Sequence, residues 1–273
     1  MVENLIVCDH LWHTYAGGVT AIGNVSLSIR SGEVVGIIGQ NGSGKTTLVK
    51  HFNGLLKPTH GTVTVDDLDV STHGVHELSR IVGYVFQNPN HQLFATSVSE
   101  ELAFGLTNLG LGEEAIQEAV ERSVAFFHLE SYQKTHPYRL SFPLRKMIAL
   151  AAIYAMQPKV YILDEPTTGQ DHVGVKLVYN LIGRLREQGA TVIVVSHDMR
   201  LQAEATDRLI VLWQAEIIGD GSPKDIFSDD ALLEKSNLHA PQITQLSRRL
   251  RRSGLPRTAL SVEELTEPLA ATM

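Results

Sequence analysis

Cysteine is almost missing from this chain: Cys8 is the single one among 273 residues. No internal disulfide can form, and a reducing compartment is expected. Basic charge is also in deficit. Lys and Arg number 23 against 30 Asp and Glu, a formal net charge of −7. That balance speaks against a general nucleic-acid-binding surface, so no nucleic acid is expected as a partner. Long apolar runs are absent too. The longest, Met147 to Met156, covers ten residues, against the roughly 20 needed to cross a bilayer. The opening Met-Val-Glu-Asn-Leu has no basic stretch leading into an apolar core, so no signal peptide is expected. The chain is expected to be soluble by itself and to meet a membrane only through partners. No internal repeat is visible. What remains, 43% hydrophobic and 19% charged residues, suits one large domain with a small appendage.

Glycine is where the sequence becomes specific. The run Gly39-Gln40-Asn41-Gly42-Ser43-Gly44-Lys45-Thr46 follows the apolar Val34-Val35-Gly36-Ile37-Ile38 and precedes Thr47-Leu48-Val49-Lys50. A buried strand, a GxxxxGK[ST] loop and a helix start, in that order, make a P-loop. Glycines let backbone N–H groups curl around phosphate oxygens where a Cβ would obstruct them. Lys45 is expected to reach the β/γ-phosphates, Thr46 to offer its hydroxyl to Mg²⁺, and the helix N-terminus to favour the anion.

The rest of the pattern supplies a frame. Leu5 to Cys8 and Val25 to Ile29 alternate around glycine turns, and Thr62 to Val65 continues the β character, which predicts an antiparallel layer. From about Val98 to Met156 the pattern turns helical, clearest at Glu113 to Phe127. Val160 to Leu163 and Thr191 to Val195 are continuous apolar runs, as expected of parallel strands covered on both faces. A helix is predicted between them from Val173 to Gln188, ending at Gly189. Leu209 to Leu212 and Glu216 to Ile218 read as a closing pair. The polar remainder from Lys224 is read as patches of helix interrupted at Pro241, Pro256 and Pro268.

Five further positions carry chemistry. Asp164 and Glu165 end the apolar strand Val160 to Leu163. In a P-loop protein that strand is expected beside the P-loop strand, with Asp164 holding Mg²⁺ and Glu165 acting as general base on the attacking water; a solvated acidic turn is the alternative. Gln87 lies between strand-like and helix-like segments, where its amide would ligate Mg²⁺ or orient water, unless it is an ordinary turn glutamine. His197 follows a buried parallel strand, at the end where ligands of open α/β sheets bind, and would bond the γ-phosphate or Glu165. Ser196-His197-Asp198 is not a nucleophilic triad, since neighbours in a strand point to opposite faces. Tyr15, before Ala16-Gly17-Gly18, would stack on a purine ring or simply edge the core.

Together these pieces resemble the nucleotide-binding subunits of ABC transporters, over nearly residues 1 to 220. Tyr15 falls at the family's aromatic A-loop position, Gly39 to Thr46 at Walker A and Gln87 at the Q-loop. Asp164 and Glu165 match Walker B with its catalytic glutamate, Thr167-Thr168-Gly169-Gln170-Asp171 the D-loop, and His197 the switch histidine. The resemblance implies an α/β P-loop NTPase fold: a RecA-like parallel core, an antiparallel β-layer, a helical subdomain at about 88–156 within residues 1–221, and a helical extension at 222–273. It implies ATP and Mg²⁺ as cofactors, with Glu165, His197 and Gln87 catalytic. Tyr15, Gly39 to Thr47 and Ser141 would contact nucleotide, and Thr46, Gln87 and Asp164 would hold the metal.

One segment departs. Where the family places Leu-Ser-Gly-Gly-Gln, this chain has Leu140-Ser141-Phe142-Pro143-Leu144, and Met147 falls where Arg is usual. In the family this segment caps the nucleotide held by the other subunit of a head-to-tail dimer. Phe142 adds bulk where backbone approaches phosphate, Pro143 has no N–H to donate, and Leu144 replaces an amide; Ser141 survives. The expected partner is therefore a second, non-identical ATPase subunit with an intact signature. The stretches Val85 to Leu111, Pro223 to Phe227, Pro241 to Leu246 and Leu260 to Leu265 further resemble the ATPases of energy-coupling-factor importers for vitamins or transition-metal ions. That resemblance implies a transmembrane coupling protein as a second partner, a membrane substrate-binding component met indirectly, and a peripheral place on the cytoplasmic face of the cell membrane.

Within this reading Asn90 to Glu101 would line the groove for basic coupling helices, with Glu100 and Glu101 facing arginine, unless they only stabilise a helix N-terminus. The basic cluster Arg248, Arg249, Arg251, Arg252 and Arg257 reads as a solvated face of a C-terminal helix, with a face toward lipid headgroups as the alternative. His73 and His76 would share a helix face, but without a carboxylate or thiol cluster they make no metal site. Three alternatives stand beside this reading: the ATPase of another ABC importer, a non-transport ABC protein acting on ribosomes or DNA, and a regulatory subunit that binds ATP with little hydrolysis.

Overall fold

The structure is a computed structural model that describes residues 4–250 and 255–271. Strands β1 (Asn4–Thr14) and β2 (Thr20–Arg30) pair antiparallel through the Gly17-Gly18 turn. The wholly buried β3 (Val34–Gly39) leads through the P-loop into α1 (Lys45–Phe52). Strands β4 (His60–Val65) and β5 (Leu68–Asp69) complete a four-stranded antiparallel sheet of order β2-β1-β4-β5. The short α2 (Val75–Leu78) and β6 (Val82–Val85) precede a helical block, α3 (Val98–Asn108), α4 (Glu113–Phe127) and α5 (Phe142–Met156). Then β7 (Val160–Asp164), α6 (His172–Glu187), β8 (Thr191–Val195) and α7 (Met199–Ala205) alternate. The hairpin β9 (Arg208–Trp213) and β10 (Glu216–Gly221) follows. Beyond it the described residues form α8 (Pro223–Ser228), α9 (Asp230–Ser236), α10 (Gln242–Leu250) and α11 (Val262–Ala271).

The main sheet runs β10-β9-β3-β8-β7-β6, parallel except for its closing hairpin. Because side chains alternate along a strand, each central strand feeds two cores. Val35, Ile37, Ile162, Ile193 and Val195 face the antiparallel sheet and α1. Val34, Tyr161, Leu163, Val192 and Val194 face the helical block and α6. Continuous apolar strands are what burial on both faces demands. A third cluster seats Phe227 and Leu233 of the C-terminal helices on Leu209 and Val211 of β9.

Several expectations need correction. The strand carrying Asp164 is not beside the P-loop strand: β8 lies between them, in register Ile37↔Val195 and Val195↔Asp164. Spacing along a chain reveals strand character, but not the order in which strands dock. Helix α5 begins at Phe142, so Phe142 and Pro143 are helical. Pro143 in the first turn costs nothing, because N–H groups there have no helical partner. Pro268 lies inside α11 instead of interrupting it. His73 precedes α2 while His76 is within it, so they share no helix face. Arg248 is only partly exposed: its guanidinium bonds the Asp230 carboxylate and the Phe227 carbonyl, pinning α10 to the preceding helices. Arg249 and Arg257 are described, whereas Arg251 and Arg252 lie outside the described residues.

Candidate active site

The ends of β3, β7 and β8 meet at one place. Lys45, buried in the first turn of α1, donates from Nζ to the carbonyls of Gly39 at 2.7 Å and Gln40 at 2.9 Å. Burial pushes its pKa down, while Glu165 and Asp164 nearby pull it back up. The loop around it depends on glycine. Gly39 has φ +151°, and a Cβ there would lie 2.3 Å from the Leu212 carbonyl. Gly44 has φ +108°, with the Ala21 carbonyl 2.3 Å from any Cβ. Gly42, at φ +80°, instead faces open space. Ser43 Oγ is buried without a partner. Open space over Gly42, an unpartnered hydroxyl and a helix N-terminus suit the polyphosphate of a nucleotide.

Thr46 Oγ1 donates to Asp164 Oδ2 at 3.3 Å, so the two strand ends converge across β8. A hydroxyl and a carboxylate are oxygen ligands of the kind Mg²⁺ prefers, and their proximity fits that ion. Tyr84 OH donates to the same Oδ2 at 2.8 Å. Burial, then the Asp164 charge, pushes the Tyr84 phenol well above its ordinary range, so it remains a donor. Glu165 is buried at φ +49°. Its Oε2 accepts from Thr168 Oγ1 and Ser196 Oγ, each at 3.3 Å, and its Oε1 lies 3.5 Å from His197 Nε2. Tyr15, 42% exposed, places its OH 3.0 Å from Thr47 Oγ1 and its ring edge against His13. Beneath Thr47, His51 donates from Nδ1 to the Thr47 carbonyl at 2.8 Å. Burial pulls His51 down to about 4.

A family model described as ABC transporter matches residues 22–168. This chain belongs to the ABC transporter family. It is 42% identical over 261 residues to a putative ABC transporter ATP-binding protein of Caldanaerobacter subterraneus, across 96% of this chain and 45% of that protein. The chain thus spans under half of that relative's length. It is 37% identical over 274 residues to an energy-coupling factor transporter ATP-binding protein of Methanospirillum hungatei, covering 97% of this chain and 69% of that one. Among solved structures, cbiO1 from Clostridium perfringens, part of the ABC transporter complex cbiONQ, superposes with a TM-score of 0.75 at 34% identity, over 89% of this chain and 98% of that chain. The fold is that of an ABC ATPase, an α/β P-loop NTPase.

Other expected site residues of this ABC chain stand apart or take other parts. Gln87 is exposed, and it is its carbonyl, not its amide, that is held. Gln40 and Asn41 belong to the P-loop turn, where the Gln40 carbonyl also accepts from Ser43 N at 3.2 Å. Ser141 is the exposed N-cap of α5 and makes no side-chain cap bond. The departing segment is packed inward. A Cβ on Gly169, at φ +76°, would lie 2.9 Å from the Phe142 ring, and Gln170 Nε2 donates to the Pro143 carbonyl at 3.2 Å. Glu101 is closed to partners: it is buried, and its Oε2 accepts from the Phe94 and Ala95 N–H groups, both at 2.8 Å. Glu100 is exposed and accepts from Thr96 N at 3.2 Å.

Sequence reasoning gave no role to Tyr84, Ser196 or Lys146, and named Thr168 only within the D-loop match, without its bond to Glu165. Lys146 is fully buried, and its pKa is pulled down to about 8 by burial against the opposing pull of Asp164 and Glu165. For Tyr84 a signal existed, a polar-tipped residue in a strand one position before the strand's end. For Lys146 the only hint was a lysine beginning the alanine-rich apolar run.

Proposed function

We propose that this chain is the ATP-binding and ATP-hydrolysing subunit of a membrane importer of the energy-coupling-factor type, serving vitamin or transition-metal-ion uptake. One observation carries the reading: Lys45, Thr46, Asp164, Glu165 and His197, from three separate stretches of sequence, converge at the strand ends around the P-loop. The P-loop amides and Lys45 hold the phosphates, and Tyr15 stacks on the base. Thr46 and Asp164, with Gln87 from its loop, would hold Mg²⁺, which when bound neutralises charge on the β- and γ-phosphate oxygens. Glu165 takes the proton of the attacking water. His197, beside it, orients that carboxylate or the terminal phosphate.

The second half of each site comes from a partner. We assign that partner as a non-identical ATPase subunit, because Phe142 covers Gly169 of the chain's own D-loop segment and Pro143 removes an N–H from the first turn of α5. A hollow lined by Leu55, Val75, Phe86, Phe94, Phe104 and Met156 is where helices of a transmembrane coupling protein would dock. Phe94 and Phe104 pack edge to face at 4.5 Å and are 58% and 47% exposed. Exposed aromatic pairs mark interaction sites, and Glu100 supplies a carboxylate at the helix start beside them. No helix among the described residues is long and apolar enough to cross a membrane, so attachment would be peripheral, through these partners.

Hydrolysis by the chain alone, then with an ATPase subunit of intact signature and the coupling protein, tests this reading. Low turnover alone and a marked rise on assembly is the expected result. Full activity of the chain alone sinks the non-identical dimer. The packed α5 turn favours one second reading, a nucleotide-binding regulatory subunit; turnover in the complex that is insensitive to Glu165→Gln would establish it instead.

A further inference from the structure

Lys146 has no part in the chemistry described so far. It lies in the second turn of α5 and is among the largest side chains with no solvent exposure. An ammonium has three donors and no acceptor. All three are spent on main-chain carbonyls: Phe86 O at 2.9 Å, Gln87 O at 3.0 Å and Asp164 O at 2.9 Å. An apolar side chain of similar volume would fill this space without the desolvation cost of a buried charge. The placement therefore makes a connection rather than merely filling a core.

Its partners are telling. The Asp164 carbonyl and the Glu165 N–H form one peptide group. Lys146 holds the carbonyl, while the N–H donates to Val195 O at 2.7 Å. That peptide leads into Glu165, a non-glycine residue in the left-handed region, a conformation that persists only where the surroundings enforce it. The other two carbonyls belong to the loop carrying Gln87. The same loop is fastened to α5 and its approach by Gln92 Nε2 donating to Ala149 O at 3.0 Å, and by Tyr138 OH donating to Asn90 O and Leu93 O at 3.1 Å. One ammonium group thus bonds both the loop at Phe86 and Gln87 and the Asp164–Glu165 peptide.

We propose that Lys146 is a positioning residue that ties the peptide orienting Glu165 to the Gln87 loop, so that hydrolysis depends on where that loop sits. The proposal rests on Glu165 being the general base. Lys146→Met keeps the length and removes the donors; Lys146→Gln keeps an amide donor. In the assembled ATPase complex, Lys146→Met is expected to lower kcat by about 10- to 100-fold, the worth of a charge-assisted hydrogen bond. The KM for ATP, and binding of labelled ATP to this chain, should stay within about threefold. Lys146→Gln should recover part of the loss. Combined with Glu165→Gln, Lys146→Met should add nothing further, because it acts through that carboxylate.

Wild-type kcat in Lys146→Met, an equal loss of nucleotide affinity, or additive losses in the double variant overturn the proposal. Should Lys146→Met not fold, Lys146→Gln is read by the same criteria, with a kcat loss at unchanged KM as the supporting result. If Glu165→Gln alone leaves turnover unchanged, the general-base reading fails first. If Glu165→Gln lowers turnover and the Lys146 variants do not, only the present inference fails.

Discussion

The first turn of α1 and the first turn of α5 both present a helix N-terminus, but they spend their polar groups in opposite ways. At α1, Gly42 faces open space, Ser43 Oγ has no partner, and Lys45 rests on two loop carbonyls that a phosphate would replace. At α5, Phe142 fills the space over Gly169, the Pro143 carbonyl already accepts from Gln170, and Pro143 has no N–H to offer. A helix dipole favours an anion in either place. What separates them is room, and the N–H that Pro143 takes away. On the proposed function one end receives phosphate, whereas the other is a packed joint between two segments of the same chain.

Three measurements put pressure on that contrast, beginning with the largest effect. Glu165→Gln should lower ATP turnover by roughly 10²–10⁴-fold, the usual worth of a general base, with labelled ATP still bound. Phosphate release at the wild-type rate would mean that the open end binds without this residue doing chemistry.

The second concerns the support beneath α1. His51 has its pKa pulled down to about 4 by burial, from an ordinary value of 6.5. The unfolded chain therefore binds a proton that the folded chain refuses, and stability falls as pH drops from 6.5 through 4. The loss is on the order of 3 kcal/mol. Denaturant unfolding at a series of pH values should show His51→Asn with a flatter profile in that window. Parallel profiles for the two proteins would remove His51 from the effect.

The smallest test bears on the α5 joint. Gly169→Ala should destabilise by about 1–2 kcal/mol, from a left-handed φ that L residues resist and from contact with the Phe142 ring. In a Phe142→Ala background only the backbone part should remain. A coupling near zero in that double-mutant cycle would detach the two segments from each other.

Much of this molecule was legible in residue order. Continuous apolar runs marked β7 and β8, because strands covered on both faces carry no polar alternation. Glu113 to Phe127 matched α4 to the residue, because its apolar spacing, acidic first turn and following left-handed His128 agree. The glycines of the P-loop announced themselves because a tight turn with close approach tolerates nothing larger. Pro268 misled because a proline in an exposed terminal helix reads as a break, yet α11 runs through it. Glu101 misled because an acid in a first helical turn looks available until its carboxylate is seen folded onto the backbone of the preceding loop.

Sequence alone determined the residue types at the phosphate loop and the carboxylates at a strand end, since each is encoded within a few neighbours. Tertiary structure decided which strands lie side by side. It inserted β8 between the P-loop strand and the strand of Asp164 while still bringing Thr46 to 3.3 Å from that carboxylate. It also turned Tyr84 onto Asp164 and Lys146 onto three carbonyls. Those contacts join residues from 18 to 118 positions apart. No local periodicity encodes such pairs; they exist only once the two cores have closed around one sheet.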